Sequence, residues 1–129
     1  MLTVEVVSPE AILFEGEAEM VIARTLEGGD IAFQPGHVSF LGALDNWSLR
    51  ILQEDGQHTF AVHGGFVEVS NDRVTVLSDV AEHANAIDVA RATAAFENAE
   101  AALKADPDDA EAAAAVKRAS TRLEVARVQ

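Results

Sequence analysis

The sequence predicts an α+β chain in two parts: a β domain of sandwich or barrel type, then an antiparallel αα-hairpin. Three observations carry that reading. Short Val- and Ile-rich runs alternate with turn residues up to about residue 84. The composition then turns alanine-rich with helical spacing, and Asp106-Pro107 interrupts that spacing once. Charge changes at the same boundary: residues 1–84 hold 14 acidic and 3 basic side chains, whereas residues 85–129 hold 8 and 6. The chain is accordingly divided into a β domain over 1–84 and a helical hairpin over 85–129.

In chain order, Leu2, Val4 and Val6 alternate with Thr3, Glu5 and Val7, the period of two that a half-buried strand requires. Met20, Ile22 and Arg24 alternate in the same way with Val21, Ala23 and Thr25. Further strands are expected at Trp47–Leu52, Thr59–Val62, Phe66–Val69 and Val74–Leu77. Gly28-Gly29, Pro35-Gly36, Asp55-Gly56, Gly64-Gly65 and Asn71-Asp72 provide the turn chemistry between them.

The first helix sets Val89, Phe96 and Leu103 seven residues apart, with Ala92 and Ala99 on the same stripe and Asp88 placed to cap it. Beyond the proline, Asp108 and Glu111 have capping-box spacing. Ala112, Val116, Ala119, Leu123 and Ala126 then form the stripe of a second helix. So short a break makes the two helices antiparallel neighbours. Val89, Phe96, Leu103, Val116 and Leu123 are the large anchors available both to zip the hairpin and to dock it. A hairpin so sparsely anchored reads either as detachable or as an ordinary fixed C-terminal hairpin.

Composition excludes several functions. Acidic residues outnumber basic ones by 22 to 9, a formal charge of −13, which argues against nucleic acid as a partner. Without cysteine there is no disulfide scaffold, thiolate zinc site or cysteine nucleophile. The longest uncharged stretch, Ile31–Leu44, has 14 residues and is broken by Pro35-Gly36, so no direct membrane insertion is expected. The start, MLTVEVV, lacks the basic region of a secretory leader. Gly64-Gly65 lacks the spacing and lysine of a phosphate loop, and no metal or nucleophile motif marks a catalytic site.

Arg91, Arg118 and Arg122 are the most informative group. A turn near Pro107 brings position 91 opposite position 123, so the three guanidiniums gather near the open end of the hairpin, beside Asp88. Such a cluster either binds an anion or pairs with Glu82, Asp88, Glu124 or the acidic β domain. His37 is either a turn histidine or a functional group, and His58 and His63 share no ligand spacing with it.

Three stretches stand out together. The first runs from Val6-Val7-Ser8-Pro9 through Phe14-Glu15-Gly16 to Pro35-Gly36-His37. Gly64-Gly65-Phe66-Val67-Glu68-Val69 follows, leading through Val74-Thr75-Val76-Leu77 to Ala81-Glu82. The last is Ile87-Asp88-Val89-Ala90-Arg91-Ala92, with Lys117-Arg118-Ala119 and Arg122-Leu123 downstream. In this order the three resemble the epsilon subunit of F-type (bacterial) ATP synthases.

The resemblance implies a β-sandwich of about ten strands before the hairpin. It implies a non-catalytic rotor subunit in the central stalk, peripheral on the cytoplasmic face of the cell membrane. Its partners would be the gamma subunit, the rotor-ring subunits and the alpha and beta subunits of the catalytic head. There it couples proton flow to that head, and its C-terminal hairpin restrains ATP hydrolysis. A stand-alone nucleotide-sensing module is the alternative. No cofactor is required on this reading, but a regulatory ATP is implied. Glu82, Ile87, Asp88, Arg91, Ala92, Arg118 and Arg122 match its binding segment, acids toward the nucleoside and arginines toward phosphate. Asn98, His83 and Ala86 depart from that segment, standing where relatives carry charge. The turn Glu27–Ile31, with Asp30 foremost, and His37 match the end that meets the rotor ring.

Overall fold

The computed structural model describes residues 1–128. Ten strands come first: β1 (Leu2–Val7), β2 (Ile12–Ala18), β3 (Met20–Thr25), β4 (Gly29–Phe33), β5 (Phe40–Ala43), β6 (Asn46–Gln53), β7 (Gly56–His63), β8 (Phe66–Ser70), β9 (Arg73–Leu77) and β10 (Ala81–His83). A 3-10 turn over Ala84–Ala86 leads to α1 (Val89–Ala105) and α2 (Ala110–Val128). The strands form two five-stranded sheets, ordered β2-β1-β9-β8-β5 and β10-β7-β6-β3-β4. This is the expected sandwich and hairpin.

The core lies between the sheets. Leu2, Val4, Val6, Val67, Val69, Val74 and Val76 from one sheet meet Val21, Phe33, Leu49, Ile51, Phe60 and Val62 from the other. The alternation read in β1 is what delivers its three apolar side chains to this layer. β1 pairs antiparallel with β2 and parallel with β9, so the first strand sits inside its sheet, not at an edge.

The outer face of that first sheet carries two contrasting rows. In register across all five strands run Ala43, Phe66, Leu77, Val7 and Ile12. The next row is Leu41, Glu68, Thr75, Glu5 and Glu15. Phe66, Leu77 and Ile12 are each at least half exposed.

β2, β4, β5 and β10 escaped the strand assignment, and the expected Glu27–Ile31 turn is shorter than its sequence suggests. The turn proper covers Leu26–Gly28, and Asp30 and Ile31 belong to β4. Two contacts cause this. Thr25 Oγ1 accepts from the Gly28 amide at 3.0 Å and donates to the Gly29 carbonyl at 3.1 Å, closing the turn early. Arg24 then faces Asp30 across the ladder and bonds it at 2.8 Å.

Asp88 caps α1 as expected, accepting from the Arg91 amide at 3.1 Å. The cap of α2 is Asp109, not Asp108: its carboxylate accepts from the Ala112 amide at 3.0 Å. Asp108 instead gives its own amide to Asp106, and Glu111 is drawn to Arg118, so the expected capping box does not form.

The hairpin seam is made of small residues. Ala92 and Ala99 of α1 and Ala112 and Ala119 of α2 are buried, whereas Val89 is half exposed. Only α2 contributes substantially to the seat on the sandwich, lying across the outer face of β6 and β7. Val125 is fully buried there, in a cluster with Ala61, Ala84 and Ile87. Thr121, also fully buried, directs its hydroxyl to the Asn46 carbonyl of β6 at 3.1 Å. Lys117 lies 3.6 Å from Asp45. The expected large anchors are thus at most partly buried, alanines make the seam, and a different pair, Thr121 and Val125, docks the hairpin.

Gly65 shows where the sandwich tolerates no side chain. Its φ is +113°, and a Cβ there would stand 2.9 Å from Ser78 Cα and collide with the Leu77 carbonyl. Gly65→Ala is expected to cost more than about 1 kcal/mol. Urea unfolding should show a lower midpoint with an unchanged slope.

Candidate functional site

β10 pairs with β7 so that Glu82 stands opposite Ala61, on the sheet face that α2 covers. From α2, Arg122 meets it in a fork: Nε donates to Glu82 Oε2 at 2.8 Å and Nη2 to Oε1 at 3.1 Å. Paired, parallel bonds of this kind are the stronger form of ion pair. Both side chains remain about 30 % exposed, so solvent screens the pair and its worth is at most about 1 kcal/mol.

Beside this fork, Glu82, Ile87, Asp88, Arg91, Ala92 and Arg122 line a pocket of about 290 Å³, completed by Ala86 and Ala95. Six of the seven nucleotide-site candidates are therefore neighbours. Arg118 is not among them; it turns to Glu111, with Nη2 and Oε1 2.9 Å apart. Arg122 is occupied by Glu82, and the Asp88 carboxylate is spent on the α1 cap. Arg91 is without an ion pair among the described residues. The pocket draws on the sandwich, the linker and both helices at once.

One histidine, His63, lies beside the fork, and two more, His58 and His83, pair with each other elsewhere on the same two strands; sequence reasoning gave none of them a role. His63, at the end of β7, is 5 % exposed at its side chain, and its Nε2 lies 3.9 Å from Glu82 Oε2. Burial, then the positive charge of Arg122, holds its pKa below the ordinary value near 6.5. His83 takes the Asn85 amide on Nδ1 at 3.1 Å, and its Nε2 lies 3.2 Å from His58 Nδ1. Burial, then His58, lowers the pKa of His83 as well. The alternation of β7 and β10 was the available signal, since it puts His63 and Glu82 on one face.

At another corner of the sandwich, Glu27, Asp30 and Ile31 line a pocket of about 560 Å³ with Leu26 and Leu41 on its rim. Leu26 and Leu41 are both exposed. Asp30 is held by Arg24, whose guanidinium stacks 4.1 Å from the Trp47 ring centre. His37 is outside that lining: its ring packs edge-on against Phe33 at 5.0 Å, and Nδ1 lies 2.7 Å from the Val38 carbonyl. Among the described residues no group of three acidic or histidine side chains could hold a metal. No helix of the described chain is long and apolar enough to cross a membrane.

The family model for the ATP synthase delta/epsilon chain β-sandwich domain matches residues 1–84, and that for its long α-helix domain matches residues 85–127. The chain belongs to the ATP synthase delta/epsilon family. Among its relatives, the ATP synthase epsilon chain of Thermobifida fusca is 47 % identical over 132 residues, covering 99 % of this chain and 93 % of its own. That of Streptomyces griseus is 41 % identical, covering 99 % and 97 %. The Brevibacillus brevis epsilon chain is 48 % identical, covering 79 % and 77 %.

The epsilon-type fold also recurs among solved structures. A chain of the Euglena gracilis mitochondrial ATP synthase (OSCP/F1/c-ring) superposes with a TM-score of 0.74 at 22 % identity, covering 98 % of this chain and 77 % of that one. A chain of the Tetrahymena thermophila enzyme's central stalk and c-ring gives 0.55 at 16 % identity, covering 98 % and 93 %.

Burial outranks charge in this seat. Val125→Ala removes two buried methyl groups and should cost the docked hairpin about 1.6 kcal/mol before any cavity cost. Arg122→Ala should cost about 1 kcal/mol or less. Hydrogen exchange of the α2 amides should accelerate in both variants, and more in Val125→Ala.

Proposed function

We propose that the chain is a non-catalytic rotor subunit in the central stalk of a proton-translocating ATP synthase. It joins the gamma subunit and the rotor ring to the alpha and beta subunits of the catalytic head, on the cytoplasmic face of the membrane. Its hairpin leaves the sandwich to restrain ATP hydrolysis and senses ATP while seated. Family membership supports the first part of this reading, and so do the solved neighbours, one from an ATP synthase OSCP/F1/c-ring assembly and one from a central stalk and c-ring.

The observation that carries the regulatory part is the composite pocket at the Glu82–Arg122 fork. Its two guanidiniums, Arg91 and Arg122, come from different helices, and its carboxylate comes from the sandwich. The pair of arginines fits a polyphosphate, to which Arg122 turns when Glu82 releases it. Lifting α2 dismantles the site. A ligand at about 100 times its dissociation constant that binds only the seated form contributes about 2.7 kcal/mol. That is comparable to burying one large side chain such as Val125, so ligand level decides a balanced equilibrium.

Calorimetry of the full chain with millimolar ATP should show saturable heat, weakened in Arg122→Ala; absence of heat in the unaltered protein rejects ATP sensing. Copurification with gamma separates the stalk subunit from a stand-alone sensor. Residues 1–84, which contain the whole inter-sheet core, are expected to unfold cooperatively by themselves and still bind gamma. ATPase assays of the assembled enzyme should then show restraint with the full chain and none with residues 1–84.

The pocket around Glu27, Asp30 and Ile31, rimmed by Leu26 and Leu41, is proposed as the rotor-ring contact. Asp30→Lys breaks the Arg24 bond and reverses the charge of that edge. Proton pumping in membranes carrying this variant should fall more than ATP turnover does; unaltered pumping removes the contact.

A further inference from the structure

Glu82 Oε2 lies between two cationic candidates. It accepts from Arg122 Nε at 2.8 Å, and the same oxygen lies 3.9 Å from His63 Nε2. Neither ring nitrogen of His63 has a hydrogen-bond partner among the described residues, although both are buried. A neutral imidazole in that position costs little beyond its one unsatisfied N–H. A protonated one, buried beside Arg122, must recruit a carboxylate, and the nearest is already taken.

We infer that His63 makes the seat of the hairpin pH-sensitive: an imidazolium there takes Glu82 from Arg122, and α2 lifts from the sheet. This rests on the proposal that the hairpin is mobile, and it adds the proton as a second signal.

The groups facing His63 determine the direction. Glu82 of β10 favours the imidazolium, whereas Arg122 and Arg118 of α2 oppose it. Asp79, between β9 and β10, lines with His63 a cleft that includes neither Glu82 nor Arg122. Across the ladder its partner is the uncharged Asn46 of β6. Burial and Arg122 dominate, so the seated pKa lies below the ordinary 6.5. Lifting α2 removes both arginines together and leaves Glu82 behind, which raises the pKa above its seated value. The lifted form therefore binds the proton more tightly. Seating is unaffected well above the lifted-state pKa and weakens as the pH falls through it, by at most about tenfold per pH unit for one proton.

His58 and His83 do not substitute for His63. Their rings face each other at the far end of β7 and β10, and His83 Nδ1 is committed to the Asn85 amide.

The chain has no cysteine, so Asp55→Cys and Ala102→Cys, both at exposed positions, accept a dye pair that reports seating by energy transfer. Between pH 8 and 5.5, the ratio of lifted to seated chains should stay level above neutrality and then climb several-fold. In His63→Gln it should stay level throughout. Arg122→Ala should raise the lifted-to-seated ratio by up to about fivefold at every pH.

A climb that persists in His63→Gln overturns the inference. A level ratio in the parent, with Arg122→Ala still lifting the hairpin, overturns it and leaves the mobile hairpin standing. A hairpin seated in every variant at every pH overturns both. NMR titration of His63 in the unaltered chain provides a check independent of the variant: a seated-state pKa at or above 6.5 also overturns it.

Discussion

One buried valine holds the hairpin to the rest of the molecule. Val125 packs into a cluster with Ala61, Ala84 and Ile87, and the small size of Ala61 and Ala84 is what makes room for it between α2 and the sheet. Around it stand a buried threonine hydroxyl and two partly exposed ion pairs, each of modest worth. The sandwich, by contrast, closes a core of sixteen buried residues without any help from the helices. Burial is thus concentrated in the sandwich, and the seat of the hairpin rests on far less of it.

The fork at Glu82 adds a second constraint. Arg122 serves both as a clasp across the interface and as a wall of the pocket, so an anion entering that pocket competes with Glu82 for it. Arg91 has no such prior engagement and faces the same space. An anion that spans both guanidiniums replaces a bond between helix and sheet by a bond between the two helices. The interface is then held by a bridge where a direct contact stood before.

How much of this was legible follows from where each side chain points. Strands with one buried face, such as β1 and β9, announce themselves by alternation. β2 does not, because it is a mostly exposed edge, and β10 has only three residues in which to show a pattern. The helices were clear from periodicity, but α2 buries two stripes rather than one. Ala112 and Ala119 face α1, while Thr121 and Val125 face the sheet. A β-branched pair four residues apart in an alanine-rich helix was the available sign of that second stripe. The grouping of Glu82, Asp88, Arg91 and Arg122 followed from the resemblance and the hairpin turn. Arg118 departed from it because Glu111, two turns earlier on the same helix, lies nearer than the pocket.

The sandwich has two outer faces, and they lead different lives. α2 lies over β6 and β7, whereas the row Ala43, Phe66, Leu77, Val7 and Ile12, with its acidic neighbours, crosses the opposite sheet. The core between them keeps the two faces apart, so a partner that covers the apolar row does not touch the seat of the hairpin.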